Sequence, residues 1–362
     1  MLHEPFASLD ELLAPAMLTR LSHEPVSTVR SSPFSGGDSA SGSHFLTVET
    51  NEGQGPRFVV KFSSPACDWI VRATGDVLGR EVLVWSSGLL DRLPPEIIHP
   101  VVACARNENG WAILMRDVSE ALIPESTKYA TISLTDHRRY LDALAALHTT
   151  FWNESGVDNP RDRYCSPRNL YTATSPATGK REVDHPNAVL PRIRHGWDLF
   201  WTVVAPDVAK LLQRLFEDPA PLCSALARYP RTIVHGDPRA ANLGIMRKPR
   251  PRVVLIDWHF VSSSTPGADV AWYLWALGNR LPVARETTIS MYRDRLAHRL
   301  GARFDETWWQ PVMDLSLLGQ LMRGGCWLAI DAVQHPNPSV REWNREELAW
   351  WSERAREGER WL

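Results

Sequence analysis

The sequence has 362 residues, of which 44% are hydrophobic and 23% are charged, as in an ordinary globular protein. A chain of this length exceeds the usual size of a single core, so we expect two packed lobes. The formal net charge of -2 at pH 7 excludes the strongly basic proteins that attract nucleic acid or anionic membranes through their overall field.

Neither a membrane span nor a signal peptide is predicted. No segment approaches the roughly eighteen uninterrupted apolar residues of a transmembrane helix, and the N-terminus lacks a basic region ahead of an apolar core. The five cysteines are scattered and never occur as CxxC pairs, which argues against a disulfide framework or a zinc site. We therefore expect a cytoplasmic protein.

Strand-like segments dominate the first part of the chain. Residues 43–50 (SHFLTVET) and 57–62 (RFVVKF) are apolar and β-branched, and the segment NEGQGP between them has turn chemistry. Residues 111–118 (WAILMRDV) form a further short apolar run, for which we expect the edge strand of the sheet and the link to a second domain. The pattern predicts a small antiparallel sheet in the N-terminal part.

A turn rich in glycine and serine occupies residues 34–43 (FSGGDSASGS) and contains Gly36, Gly37 and Ser39. Such a turn can fold over the phosphates of a nucleotide and offer backbone N–H groups, although Gly/Ser runs are also common linkers. Lys61 lies in the strand 57–62, and it is the single lysine of residues 1–117 in a chain whose 40 basic residues are mostly arginine. Its compact ammonium could reach the phosphates from beneath the turn.

An apolar segment that begins at residue 79 (GREVLVW) contains Glu81. In a helix packed on the sheet, this carboxylate could face inward and pair with Lys61, because a buried glutamate needs a partner of opposite charge. A solvated position on the helix surface is the alternative.

After residue 118 the pattern becomes helical. Apolar side chains recur at helical spacing over 140–148 and 208–216, and Asn344 and Glu347 indicate the capped start of an amphipathic helix. The sequence thus predicts an α+β, bilobal fold. A small antiparallel-sheet lobe spans 1–117 with a hinge near 115–118, and a larger helical lobe with the catalytic loop and the acceptor site spans 118–362.

Polar side chains cluster between short apolar runs near residue 235. Residues 232–234 and 243–246 are predicted strands, so the segment between them must bend, and a further strand at 253–256 runs into Asp257. Asp237, Asn242 and Asp257 could thus converge at one hairpin. Carboxylate and amide oxygens suit a hard cation such as magnesium, and a remaining carboxylate can take a proton from a hydroxyl. Taken singly, each segment is also compatible with a simple turn or strand cap.

These residues resemble the aminoglycoside phosphotransferase and choline kinase group, distant relatives of the protein kinases. The resemblance rests on HGDxxxxN (His235 to Asn242), IDW (Ile256 to Trp258) and the helix opening PGADVAWYLW with Asp269. Upstream features in the order of the family are the Gly/Ser turn, Lys61, Glu81 and LAALH at 144–148. The resemblance covers roughly residues 28–280 and implies a protein-kinase-like fold.

The resemblance also implies a role for each matching position. Asp237 would orient or deprotonate the acceptor hydroxyl, and Asn242 and Asp257 would hold Mg²⁺. Lys61 would contact the nucleotide phosphates, Glu81 would position Lys61, and the turn with Gly36, Gly37 and Ser39 would cover the phosphates. The chain from Met115 to Val118 would meet the adenine through backbone groups. His235 would brace the loop, and Asp269 would be structural, as an N-terminal helix cap.

The implied activity is that of a small-molecule kinase, which transfers the γ-phosphate of ATP or GTP to a hydroxyl of a small-molecule acceptor and requires Mg²⁺. The alternative is a kinase-like protein that binds nucleotide or a partner without transfer; loss of an ionic residue would favour it, and none is missing. The acids after Phe151 are scattered, whereas a polycationic aminoglycoside would require convergent carboxylates. The acceptor therefore stays open among aminoglycosides, amino alcohols, sugars, macrolides and apolar natural products, as does the oligomeric state.

Overall fold

A computed structural model describes residues 2–35, 41–124, 130–154 and 164–362. The strands in these ranges are β1 (Val29–Pro33), β2 (His44–Thr50), β3 (Phe58–Ser63), β4 (Ile97–Ile98), β5 (Val101–Asn107), β6 (Gly110–Arg116), β7 (Thr232–Val234), β8 (Leu243–Met246), β9 (Arg252–Leu255) and β10 (Ser262–Ser264). The helices are α1 (Leu9–Leu12), α2 (Pro15–Ser22), α3 (Trp69–Ala73), α4 (Arg80–Ser86), α5 (Leu134–Thr150), α6 (Pro167–Thr172), α7 (Pro176–Arg181), α8 (Val189–Val203), α9 (Pro206–Glu217), α10 (Ala220–Leu226), α11 (Gly267–Ala276), α12 (Arg285–Leu300), α13 (Glu306–Gln334) and α14 (Pro338–Glu359).

The chain divides into two compact units. The first comprises Met1–Glu125 with Ala240–His259, and the second comprises Ser126–Arg239 with Phe260–Leu362. The hairpin β8–β9 therefore belongs to the first unit, whereas the lobe limits predicted from the sequence place it with the helices. Those limits, 1–117 and 118–362, remain a prediction.

An antiparallel sheet in the order β1-β2-β3-β6-β5 dominates the first unit. Its core consists of the buried side chains of the inner strands, among them Phe58, Val60, Ile113 and Leu114. The expectation that residues 111–118 form the edge strand was wrong, because β6 lies between β3 and β5. No strand was predicted for β5, whose small residues Ala103, Cys104 and Ala105 give too weak an apolar alternation.

A second sheet of the first unit has the order β4-β9-β8. β8 pairs antiparallel with β9, with Leu243 opposite Leu255, and β4 pairs parallel with β9. The strands consist largely of buried apolar residues, so the polar residues at their ends mark where the chain leaves the sheet. Asn242 directly precedes β8, and Asp257 follows β9 by two residues.

The second unit is built around α13, a helix of 29 residues. α13 packs against α8, α11 and α14, and most of its side chains from Trp308 to Ala332 are buried. The short strands β7 and β10 pair antiparallel, and they pack against α5 and α6 respectively. Among the described helices, none is both long enough and apolar enough to cross a bilayer. The small antiparallel sheet and the helical remainder confirm the predicted α+β class.

Candidate active site

A buried lysine lies at the centre of a polar cluster in the first unit. Lys61 is on β3, opposite Phe45 of β2 and Ile113 of β6, and is 5% exposed. Its Nζ donates hydrogen bonds to Glu81 Oε2 and Asp257 Oδ1, each at 2.5 Å. The structure thus brings together three residues that the sequence separates widely.

The charges in this cluster stabilise one another. Burial alone would lower the pKa of Lys61, but the carboxylates of Asp257 and Glu81 outweigh it and raise this pKa. Burial would raise the pKa of Asp257, yet the nearby His259 and Lys61 hold it well below its ordinary value. The pKa of Glu81 is raised, because burial disfavours its carboxylate more than Lys61 favours it. Asp257 is therefore the firmly ionised partner of the lysine.

Helix α4 positions Glu81 through two residues that were not predicted. The carboxylate of Asp76 accepts the backbone N–H groups of Gly79 at 3.0 Å and Arg80 at 2.8 Å, and so satisfies donors at the start of the helix. The buried guanidinium of Arg80 donates to the carbonyl oxygen of His259. Neighbouring residues of α4 therefore hold both Lys61 and the chain segment after Asp257.

Asp257 lies at a strained point of the backbone, with a φ of 69°. A residue with a side chain is uncommon in this left-handed region and persists where its surroundings fix it. Both hydrogen bonds that its carboxylate accepts within the first unit, from Lys61 Nζ and His259 Nδ1, go to Oδ1. The second carboxylate oxygen, Oδ2, is therefore the one suited to a metal ion.

Asn242, directly before β8, lies next to the chain segment that leads into Asp257. Its carbonyl oxygen accepts the backbone N–H of Ile256 at 3.1 Å, one residue before Asp257. The Asn242 side chain is buried. One carboxylate and one amide oxygen from adjacent chain segments form a donor set that fits Mg²⁺, which prefers hard oxygen ligands and few of them from protein.

Asp237 lies in the second unit, three residues after β7. We call residues 235–239 the Asp237 loop. Gly236 has a φ of 80°, and a Cβ at this position would lie 2.4 Å from the carbonyl oxygen of Phe260. Only glycine therefore fits here without strain. Asp237 is 3% exposed, and its carboxylate accepts a hydrogen bond from Arg239 Nε at 3.3 Å.

A buried carboxylate braces the Asp237 loop from α11. The Asp269 carboxylate accepts hydrogen bonds from the backbone N–H of His235 at 2.8 Å and from that of Gly236 at 2.7 Å. His148 Nε2 lies 3.1 Å from Asp269 Oδ2. Burial would raise the pKa of Asp269, but these contacts lower it. The expected helix cap was wrong, because α11 begins at Gly267 and Asp269 is already inside its first turn.

The other residues predicted to contact the nucleotide are Met115, Val118 and the residues of the Gly/Ser turn. Met115 is buried in β6, opposite Val59, and Val118 follows the strand, where its carbonyl oxygen accepts the backbone N–H of Ala121 at 2.9 Å. Contact of this segment with a base stays a prediction. The predicted phosphate turn residues Gly36, Gly37 and Ser39 lie outside the described residues.

The comparisons with known proteins agree with the motif. A model of a phosphotransferase enzyme family, APH, matches residues 39–311. This match spans most of the chain and confirms the resemblance to aminoglycoside phosphotransferases and choline kinases, and with it the protein-kinase-like fold class. Comparison with curated proteins found no match.

Several solved structures are similar to the chain at low identity. The GDP and kanamycin complex of APH(2")-IIia is 13% identical, with 93% of this chain and 97% of that chain covered, at a TM-score of 0.49. Choline kinase LicA from Streptococcus pneumoniae is 15% identical, with 93% of this chain and 98% of that chain covered, at a TM-score of 0.47. APH(3'')-Id from Streptomyces rimosus, in complex with ADP and streptomycin, is 16% identical, with 88% and 100% covered, at 0.45.

Proposed function

Because the chain belongs to the phosphotransferase enzyme family, we propose that it is a small-molecule kinase, which transfers the γ-phosphate of ATP or GTP to a hydroxyl of a small-molecule acceptor. The observation that carries this proposal is the buried ammonium of Lys61, held between Glu81 and Asp257. Phosphoryl transfer needs positioning and charge neutralisation rather than a covalent nucleophile, and a fixed cation of this kind serves both needs. We also propose a cytoplasmic location, because none of the five cysteines, all of which lie in the described part of the chain, forms a disulfide bond.

On the nucleotide side, Lys61 contacts the phosphates and Glu81 keeps the ammonium in place. The segment with Gly36, Gly37 and Ser39, for which the sequence predicts a turn, would offer backbone N–H groups to the same phosphates. Backbone groups between Met115 and Val118 receive the base.

On the metal side, Asn242 and Asp257 hold Mg²⁺ through their side-chain oxygens. When bound, Mg²⁺ neutralises charge on the transferring phosphate. Lys61 and His259 contribute by donating to Oδ1 of Asp257, because these two contacts restrict rotation of the carboxylate.

On the acceptor side, Asp237 orients the hydroxyl and takes its proton. The hydroxyl oxygen forms a bond to the γ-phosphorus, the bond from that phosphorus to the bridging oxygen breaks, and the proton passes to the Asp237 carboxylate. Asp269 supports this step by fixing the backbone before Asp237.

A nucleotide-consumption screen tests the proposal. ATP and GTP are each offered with aminoglycosides, amino alcohols, sugars, macrolides, and hydroxylated terpenoids and sterols, and phosphorus NMR verifies each product. We expect product from the wild type and none from Asp257→Ala. We expect Asp237→Asn to transfer at least about 100-fold more slowly while its nucleotide affinity stays within a few fold of wild type.

The alternative activity has its own outcome in this screen. If the wild type binds magnesium nucleotide, phosphorylates nothing in the panel and cannot be distinguished from Asp237→Asn, the chain is a kinase-like binding protein that does not transfer phosphate.

A further inference from the structure

A guanidinium group lies deep inside the second unit, on its central helix. Arg323 of α13 is 2% exposed, and it is the single charged residue from Leu315 to Ile330. Charged side chains are rarely buried this completely unless they have a partner or a function. Burial lowers the pKa of Arg323, and the negative charge of Asp237 is the strongest influence against this shift.

The contacts of Arg323 lead to the Asp237 loop. Its Nη1 donates a hydrogen bond to the carbonyl oxygen of Gly236 at 2.9 Å. The guanidinium carbon lies 3.8 Å from the ring centre of Trp272 and 4.7 Å from that of Phe260, so two aromatic faces flank the group. A main-chain carbonyl and two aromatic rings therefore fix the position of the cation.

The peptide groups on either side of Gly236 form hydrogen bonds with side chains of two different helices. Its N–H donates to Asp269 of α11, and its carbonyl oxygen accepts from Arg323 of α13. The φ of 80° and the close approach to Phe260 favour glycine, and a glycine has no side chain to fix its own orientation. The peptide that leads into Asp237 is thus held in place by Arg323.

We propose that Arg323 is a positioning residue for Asp237: its guanidinium holds the Gly236–Asp237 peptide in the orientation that presents the Asp237 carboxylate to the acceptor hydroxyl. This inference rests on the proposed function, because it concerns the residue proposed to take the proton. The competing role is simple packing, in which any side chain of similar size would serve.

A matched set of variants separates positioning from packing. Arg323→Met keeps the apolar volume and removes the donor, and Arg323→Lys restores a donor and the charge. Arg280→Met is the control, because Arg280 is also a buried arginine of the second unit, 5% exposed, with Nε donating to the carbonyl oxygen of Ala130 at 3.2 Å. Arg280→Met likewise removes a hydrogen bond from a buried arginine to a main-chain carbonyl, but at a position outside the Asp237 loop.

The first measurement is hydrogen–deuterium exchange of a peptide that covers residues 232–246. It requires neither an acceptor nor activity. We expect exchange at least about fivefold faster in Arg323→Met than in the wild type and Arg280→Met, with Arg323→Lys in between, because the loop loses its hydrogen bond with Arg323. Exchange at the wild-type rate in a folded Arg323→Met protein would overturn the proposal.

The second measurement is hydrolysis of MgATP, with water as the acceptor. We expect Arg323→Met to lower kcat at least about tenfold and to leave KM for MgATP within about threefold, while Arg280→Met changes neither. When Arg323→Met is added to the Asp237→Asn variant, kcat should fall by less than about a further twofold, because both changes affect the same step. Full additivity of the two changes would show that Arg323 does not act through Asp237.

The two measurements also separate failure of this inference from failure of the proposed function. If the wild type neither hydrolyses nor transfers phosphate but the exchange pattern is as expected, the proposed function fails while Arg323 still positions the loop. If the wild type is active and Arg323→Met matches it in kcat, the positioning role fails and the proposed function stands.

Discussion

Lys61 and Asp257 lie 196 positions apart in the sequence and form a buried ion pair, with Nζ 2.5 Å from Oδ1. The contact joins the five-stranded sheet of the first unit to the chain that leaves β9. The cation proposed to contact phosphate and the carboxylate proposed to bind metal therefore hold each other in place. On the proposed function, this pair couples the nucleotide site to the metal site.

We expect Lys61→Met to lower the free energy of unfolding by about 3 kcal/mol at pH 7, because two carboxylates lose their shared cation. Methionine keeps most of the apolar volume of the lysine stem, so the loss reflects charge rather than a cavity. Urea unfolding followed by circular dichroism measures this change. Adding Glu81→Gln to the variant should recover at least about 1 kcal/mol, and a double variant with no recovery would contradict this account.

Local patterns predicted several strands closely. The strands β2, β3, β7, β8 and β9 lie within one residue of their predicted limits, because runs of apolar and β-branched residues bounded by turns define them locally. The start of α14 was predicted at Asn344, but the cap is Asn337, whose side chain accepts the N–H of Ser339. Asn344 instead donates to the carbonyl oxygen of Val340 inside the helix, a contact that its sequence neighbours do not reveal.

The candidate site was predicted only as far as its motifs extend. Glu81 was proposed because it lies in an apolar, helix-like segment, where a buried carboxylate needs a partner, and Asp257 because it follows a predicted strand. His259 is two residues from Asp257, yet no local pattern says which carboxylate oxygen it contacts. Arg323 had a readable signal, a lone charge in an apolar helix, but its partner Gly236 is 87 residues away and only the tertiary structure identifies it.

We expect His259→Phe to weaken Mn²⁺ binding about tenfold in the presence of a non-hydrolysable ATP analogue, because Asp257 loses one of the two donors to Oδ1. Mn²⁺ is the probe since electron paramagnetic resonance reports the free ion directly. His259→Asn keeps an N–H donor and should stay within about threefold of wild type. The exposed His298 of α12 provides the control, and equal affinity of His259→Phe and His298→Phe would exclude His259 from this role.

We expect Gly236→Ala to lower the free energy of unfolding by about 2–4 kcal/mol, because it adds both backbone strain and a clash with the carbonyl oxygen of Phe260. Gly53→Ala is the matched control. Gly53 also has a positive φ, 85°, close to that of Gly236, but its Cβ would meet no described atom within 4 Å, so the substitution should cost only about 1 kcal/mol. Chemical denaturation measures both variants, and equal losses would show that the close approach to Phe260 carries no energy.

The last prediction concerns acid stability and the buried His137 of α5. Its Nδ1 lies 2.8 Å from the hydroxyl of Tyr273, and burial, with the charges of Arg295 and Arg138, lowers its pKa from 6.5 to about 4. Between these values the unfolded chain binds a proton that the folded chain does not, so stability falls as pH decreases from about 6.5 to about 4. The His137→Gln variant has no group that titrates at this position. Between pH 7 and pH 5 its free energy of unfolding should therefore fall by on the order of 1–2 kcal/mol less than that of the wild type. Urea unfolding at each pH measures both proteins. Above pH 7 the free energies of unfolding of the two proteins should differ by a constant amount. If the two plots of this free energy against pH stay parallel down to pH 5, His137 does not contribute to the acid sensitivity of the fold.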